Sequence, residues 1–202
     1  EKKGISSKKI DLIPNGCDIK IFNKTSDPWL PSSISNDDFV CIFAGAHGIA
    51  NGLEILLDTA KELKKSNRND IKIVFVGDGR LKPLLKKRAK SEYLDNCFFL
   101  DPIPKVTLVS FLCNEVDAGL MILRNIPEFY NGTSPNKFFD YISLGLPVLN
   151  NYPGWLAEMI IENNCGIAIP PDDPTKFANA LIRLNDNRDF ILDMGNNANK
   201  LA

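Results

Sequence analysis

The chain has 202 residues, 44% of them hydrophobic and 24% charged, with 24 basic side chains against 25 acidic ones. That length supports one substantial core or two small ones. The balanced charge excludes a general attraction to nucleic acid or anionic membrane, so any phosphate recognition has to be local.

No apolar run approaches the length of a membrane span, and no signal-peptide pattern opens the chain. The five cysteines, Cys17, Cys41, Cys97, Cys113 and Cys165, are scattered without a C-x-x-C pair, and His47 is the single histidine. This spacing argues for reduced, structural cysteines in a cytoplasmic protein and against a disulfide framework or a metal cluster. The opening EKKGISSKKIDLIP reads as the inside of a longer protein, and the closing NNANKLA stops within a helical pattern. The expectation is therefore a piece of a longer polypeptide.

Residues 1–36 are expected to form an entry segment and interdomain linker: a strand, a turn at Pro14-Asn15-Gly16, then a loop with Pro28 and Pro31. Residues 37–202 are expected to form one domain, because a single alternation runs from Phe39 onward. FVCIFAGA (39–46) reads as a buried strand, and Gly52 to Lys65 as a helix with Leu53, Leu56, Leu57, Ala60 and Leu63 on one face. IKIVFVG (71–77) is the second strand and Leu81 to Ser91 a basic helix on which Arg80 and Lys82 are expected to be solvated. CFFL (97–100) is the third strand, and Val106 to Asn114 a helix with Val106, Val109 and Phe111 inward. DAGLMIL (117–123) is the fourth strand, then come a helix at 135–144 and a strand at PVLN (147–150). A helix from Trp155 to Glu162, a sixth strand at GIAI (166–169) and helices near 173–186 and 188–200 complete the pattern. Short apolar strands alternating with amphipathic helices predict an α/β fold. It is a doubly wound, Rossmann-like parallel sheet of about six strands with helices on both faces.

Ligands of such sheets bind at the carboxyl ends of the strands. The loops there are Gly45-Ala46-His47-Gly48 leading to Asn51-Gly52, Gly77-Asp78-Gly79-Arg80, Asp101-Pro102-Ile103-Pro104-Lys105, and Arg124 through Gly132. Glycines in such loops serve either as turn punctuation or to let backbone amides approach a ligand. Gly45-x-x-Gly48 is not the dinucleotide fingerprint, which argues against NAD. His47 is either a packed structural residue or an acid–base group at the ligand edge.

The segment GTSPNKFFDYISLGLPVL, Gly132 to Leu149, carries the most chemistry. Ser134 is expected to cap the helix and Pro135 to occupy its first turn. Free amides at that helix start favour a phosphate-sized anion, Lys137 adds a cation, and Asp140 is suited to a ribose hydroxyl.

Four segments in order, IPNGCDIKIF, FAGAHG…GLEILLDTAKEL, IVFVGDGRLKPLL and GTSPNKFFDYISLGLPVL, resemble the C-terminal, donor-binding half of GT-B fold retaining glycosyltransferases. That group includes glycogen and sucrose synthases and many bacterial cell-surface polysaccharide transferases. The resemblance implies a sugar-nucleotide donor, UDP first, in a cleft completed by an N-terminal acceptor domain. It implies the base beside Ile103, the ribose on Asp140 and the diphosphate on the amides of Thr133 and Ser134. It also implies no cofactor and no metal at the diphosphate.

Four slots differ from the family pattern, and three of them lose their charge. The two glutamates usual in the last block correspond to Gly132 and Asp140, and the Arg and Lys usual in the first loop correspond to Ala46 and Asn51. The expectation is that Lys137, with Arg124 or His47, takes over the diphosphate charge. Ser134-Pro135-Asn136-Lys137 resembles a signature of the surface-polysaccharide subgroup. Three rival readings stay open: a sugar-nucleotide epimerase of similar architecture, a non-catalytic nucleotide-binding or scaffold relative, and a plain Rossmann-like module binding something else, such as a sugar phosphate.

Overall fold

The structure, a computed structural model, describes residues 15–16, 30–130 and 132–202. The expected entry strand and the loop at Pro28 lie outside the described residues.

Six parallel strands form one sheet in the order β3-β2-β1-β4-β5-β6. β1 (Phe39–Ala44) is paired along its full length with β2 (Ile71–Val76), in register from Phe39↔Ile71 to Ala44↔Val76. β3 (Cys97–Leu100) extends the sheet beyond β2. On the other side of β1 lie β4 (Ala118–Met121), β5 (Val148–Asn150) and β6 (Gly166–Ala168). The order reverses between β1 and β4, and the crevice of a doubly wound sheet opens at that point.

Both faces of β1 are buried, which is why its sequence is a continuous apolar run rather than an alternation. Phe39, Cys41 and Phe43 enter one core layer and Val40, Ile42 and Ala44 the other. The first layer is closed by α1 (Glu54–Lys65), α2 (Lys82–Ser91) and α7 (Pro174–Asn185). The second is closed by α3 (Lys105–Glu115), α5 (Asn136–Ser143) and α6 (Trp155–Glu162). α8 (Arg188–Leu201) gives Met194 to the first layer and Ala198 to the second. A four-residue helix, α4 (Pro127–Tyr130), and a 3-10 turn at Ile49–Asn51 were not expected. Among the described residues no helix is long and apolar enough to cross a membrane.

The predicted face of α1 is fully buried: Leu53, Leu56, Leu57, Ala60 and Leu63 are each 0% exposed. In α3, Val109 and Phe111 are buried as expected, but Val106 is 43% exposed. The first turn of that helix lies next to the hollow lined by Ile103 and Leu108. α5 stops where the sequence indicates. Gly145 takes φ 68, and the Gly145 and Leu146 amides donate to the carbonyls of Ile142 and Tyr141 at 3.1 and 3.0 Å. This left-handed residue satisfies the last carbonyls and turns the chain into β5.

Candidate active site

The loops after β1 and β2 are bound to each other. The His47 amide donates to the Asp78 carbonyl at 2.8 Å and the Leu81 amide to the His47 carbonyl at 3.0 Å. A β-carbon on Gly77 would stand 2.0 Å from the Gly45 carbonyl oxygen, and one on Gly79 would stand 2.7 Å from the His47 carbonyl. These two glycines are thus required by backbone crossing backbone. Asn51 closes the first loop, its Nδ2 donating to the Ala46 carbonyl at 2.6 Å.

His47 is fully buried, with the Phe43 and Phe75 rings each 6.2 Å from its own. Neither ring nitrogen has a hydrogen-bond partner among the described residues. Burial, with help from the charge of Lys82, lowers its pKa to about 4, so the ring is neutral near pH 7. It underlies the loop rather than projecting from it.

Lys82 corrects an expectation: its side chain is buried, not solvated. Its Nζ donates to the carbonyls of Gly77 at 2.8 Å and Leu100 at 2.9 Å and to the Asp101 carboxylate at 2.7 Å. It ties the ends of β2 and β3 together, and it holds the Asp101 carboxyl below the usual carboxylate range. A sequence signal for this exists. Lys82 is the first residue of α2, where the helix dipole disfavours a cation, so it needs carbonyl or carboxylate partners. Arg80, two residues earlier, is exposed as expected.

Gly45, Ala46, Gly77, Asp78 and Ile103 line one hollow of about 400 Å3 with Ala44, Pro102 and Leu108. Beside it stands α5. Its Lys137 places Nζ 3.7 Å from the centre of the Phe43 ring, and a β-carbon on Gly45 would lie 2.9 Å from that nitrogen. Burial pulls the ammonium down to about 7. Asp140, one turn further along the same helix face, is 7% exposed and bonded through Oδ2 to the Nζ of Lys105. Lys105 is the first residue of α3 and was not among the expected site residues. Its loop was singled out in the sequence, but its partner lies 35 positions away.

The helix start differs from expectation. Pro135, in extended conformation (φ −82, ψ 126), occupies the cap position of α5, and no side chain caps the helix. Ser134 is one residue too far out for its hydroxyl to reach the first-turn amides. Its carbonyl accepts from Asn15 Nδ2 at 2.7 Å. Thr133 Oγ1 donates to the Phe129 carbonyl at 2.7 Å, and the Thr133 carbonyl accepts from Trp155 Nε1 at 3.2 Å. Gly132 and Asn136 are exposed, and Gly48 has open space around its α-carbon.

Arg124 sits elsewhere. Its amide donates to the Ala50 carbonyl at 2.9 Å and its guanidinium lies 3.8 Å from Glu54. It lines a second hollow of about 440 Å3 with Gly52, Asp58, Asn151 and Asp172. This second hollow shares no lining residue with the one beside Lys137. No group of three or more metal-ligating side chains occurs among the described residues.

A six-stranded parallel sheet whose order reverses at β1/β4, with a hollow at the carboxyl ends of β1, β2 and β3 beside a helix bearing Lys137 and Asp140, is a Rossmann-like half of the GT-B type. Residues 38–187 match the family model described as glycosyl transferases group 1, and the chain belongs to that family. It is 23% identical over 166 residues to an alpha-D-kanosaminyltransferase of Streptomyces kanamyceticus, covering 81% of this chain and 40% of that protein. It superposes on the C-terminal domain of the group 1 glycosyl transferase LpcC from Francisella tularensis with a TM-score of 0.70 at 18% identity, covering 92% of this chain and 96% of that domain. HepE of Anabaena, solved in complex with UDP-glucose, superposes with a TM-score of 0.73 at 18% identity, covering 98% of this chain and 54% of that one. The chain thus spans about half the length of HepE and less of the kanosaminyltransferase.

Proposed function

We propose that this chain is the donor-binding half of a retaining glycosyltransferase. It would move a hexosyl or N-acetylhexosaminyl group from a nucleoside diphosphate sugar, UDP first, to a glycan or lipid-linked acceptor in bacterial surface polysaccharide synthesis. The observation that carries this reading is the placement of Lys137 and Asp140 one turn apart on α5, beside the hollow floored by Gly45 and Gly77. A cation and a hydroxyl acceptor at that spacing suit the diphosphate and ribose of one nucleotide.

The base lies against Ile103, the ribose on Asp140, and the diphosphate between Lys137 and the amides preceding α5. Bond breaking at the anomeric carbon leaves negative charge on the departing nucleoside diphosphate, and a fixed cation there stabilises the transition state. We assign that charge to Lys137, because His47 is neutral and enclosed and Arg124 faces the second hollow. No metal is needed at the diphosphate. The acceptor is presented by an N-terminal domain of the same polypeptide, and transfer requires both halves to hold their reactants together.

Calorimetric titration with UDP, GDP and ADP in the absence of magnesium tests the reading. One nucleotide is expected to bind, and Asp140→Asn to weaken it at least tenfold. Failure of all three to bind would sink the proposal.

A further inference from the structure

Asp140 is nearly enclosed, and an isolated carboxylate there would be costly. Lys105 supplies its countercharge through Oδ2 alone, and Oδ1 has no hydrogen-bond partner among the described residues. Lys105 is held in turn at the start of α3, two residues beyond Ile103 in the loop that lines the hollow. A cation at a helix N-terminus is favoured there by a nearby acid, and the enclosed Asp140 carboxylate needs the cation more than the half-exposed Lys105 needs the acid. An incoming hydroxyl that displaced Lys105 would leave the enclosed carboxylate without its countercharge. A hydroxyl that donates to Oδ1 leaves the pair intact.

Resting on the donor-site reading above, we propose that Lys105 is the positioning residue of the ribose subsite. It holds Asp140 by one carboxylate oxygen, so that the other accepts from a ribose hydroxyl, and it ties the base-side loop at Ile103 to helix α5. The pair persists through binding. Lys105 therefore acts on ribose recognition through Asp140, and not as a diphosphate cation.

The test compares whichever of UDP, GDP and ADP binds with its 2′,3′-dideoxy counterpart, for the unsubstituted protein and for Lys105→Met, Lys105→Arg and Asp140→Asn. The unsubstituted protein is expected to prefer the ribose form about tenfold or more. Lys105→Met is expected to lose most of that preference, the ribose form weakening several-fold more than the dideoxy form, and Lys105→Arg to restore most of it. Combining Lys105→Met with Asp140→Asn should cost no more than Asp140→Asn alone. An equal loss for ribose and dideoxy forms would instead make Lys105 a phosphate contact. Tighter binding by Lys105→Met would make it a stopper to be displaced. Either result overturns the proposal. Binding of the ribose form with an undiminished preference in Lys105→Met overturns it too, while leaving the donor site standing. If no nucleotide binds the unsubstituted protein, the donor-site reading itself fails.

Discussion

The ring of Tyr141 occupies the place where a side chain on Gly119 would be. A β-carbon there would stand 2.3 Å from the ring. The contact seats α5 against the middle of the sheet. It also lets the Tyr141 hydroxyl accept from the Ala44 amide at 3.1 Å and donate to the Ile42 carbonyl at 3.4 Å. The helix bearing Lys137 and Asp140 is thereby referenced to the carboxyl end of β1. Gly119→Ala is expected to destabilise the fold by about 1–3 kcal/mol, the usual cost of overpacking. Tyr141→Phe, which leaves the Ala44 amide without its partner, should cost about 1–2 kcal/mol. Urea denaturation of both variants checks this. Wild-type stability in Gly119→Ala would show that α5 can shift freely.

His47 should make the fold sensitive to acid. Its pKa is about 4 when folded and near 6.5 when unfolded. Above pH 6.5 the ring is neutral in both states and contributes nothing to the pH dependence. As pH falls through 6.5 the unfolded chain takes up the proton first, and stability drops until about pH 4, where the folded ring follows. The loss, fully developed by about pH 4, is on the order of 3 kcal/mol. Thermal melts at pH 7, 5.5 and 4.5 should show it, and His47→Gln should flatten that part of the profile. An unchanged profile in the variant would place the acid sensitivity elsewhere.

The six strands and the α1 face were legible because both depend on pattern: strands buried on two sides read as apolar runs, and a helix buried on one side reads with its own period. What was not legible depends on partners distant in the chain. Lys82 looks like one more lysine of a basic helix until the Leu100 carbonyl and Asp101 come to meet it. Lys105 looks like a rim residue until α5 brings Asp140 beside it. The Ser134 cap was misplaced because Pro135 stays extended and moves the helix start by one residue. Val106 fits the helical period of its neighbours, and only the position of α3 next to the hollow at Ile103 leaves it exposed.

Gly77→Ala should damage the site more than the fold. The added carbon would stand 2.0 Å from the Gly45 carbonyl, and φ 138 is unfavourable for any residue with a side chain. The two loops must separate, and Gly45 is the residue beneath Lys137. Nucleotide affinity is expected to fall by tenfold or more, with a stability loss of about 1–3 kcal/mol. Paired calorimetry and denaturation would show this. Unaltered affinity in a destabilised variant would mean that the floor of the hollow is not part of the donor site.

Lys137 should couple nucleotide binding to proton uptake. Its ammonium titrates near pH 7 in the free protein because burial disfavours the charge, against 10.5 for an unperturbed lysine. The unfolded chain therefore holds the proton from pH 7 to 10.5 where the folded chain does not, and this group makes stability rise with pH across that window. Binding has the opposite sign. A diphosphate beside Nζ favours the cation and raises its pKa, so affinity falls by up to about tenfold per unit as pH rises above 7, until the pKa of the complex is reached. The second phosphate ionisation, near pH 6, is nearly complete by pH 8 and does not obscure the effect there. Calorimetry at pH 8 in two buffers of different ionisation enthalpy should register net uptake of a fraction of a proton per nucleotide. Lys137→Met should bind more weakly, with an affinity independent of pH above 7 and no proton uptake. If the uptake persists in that variant, another group carries the diphosphate charge, and the assignment of Lys137 is wrong.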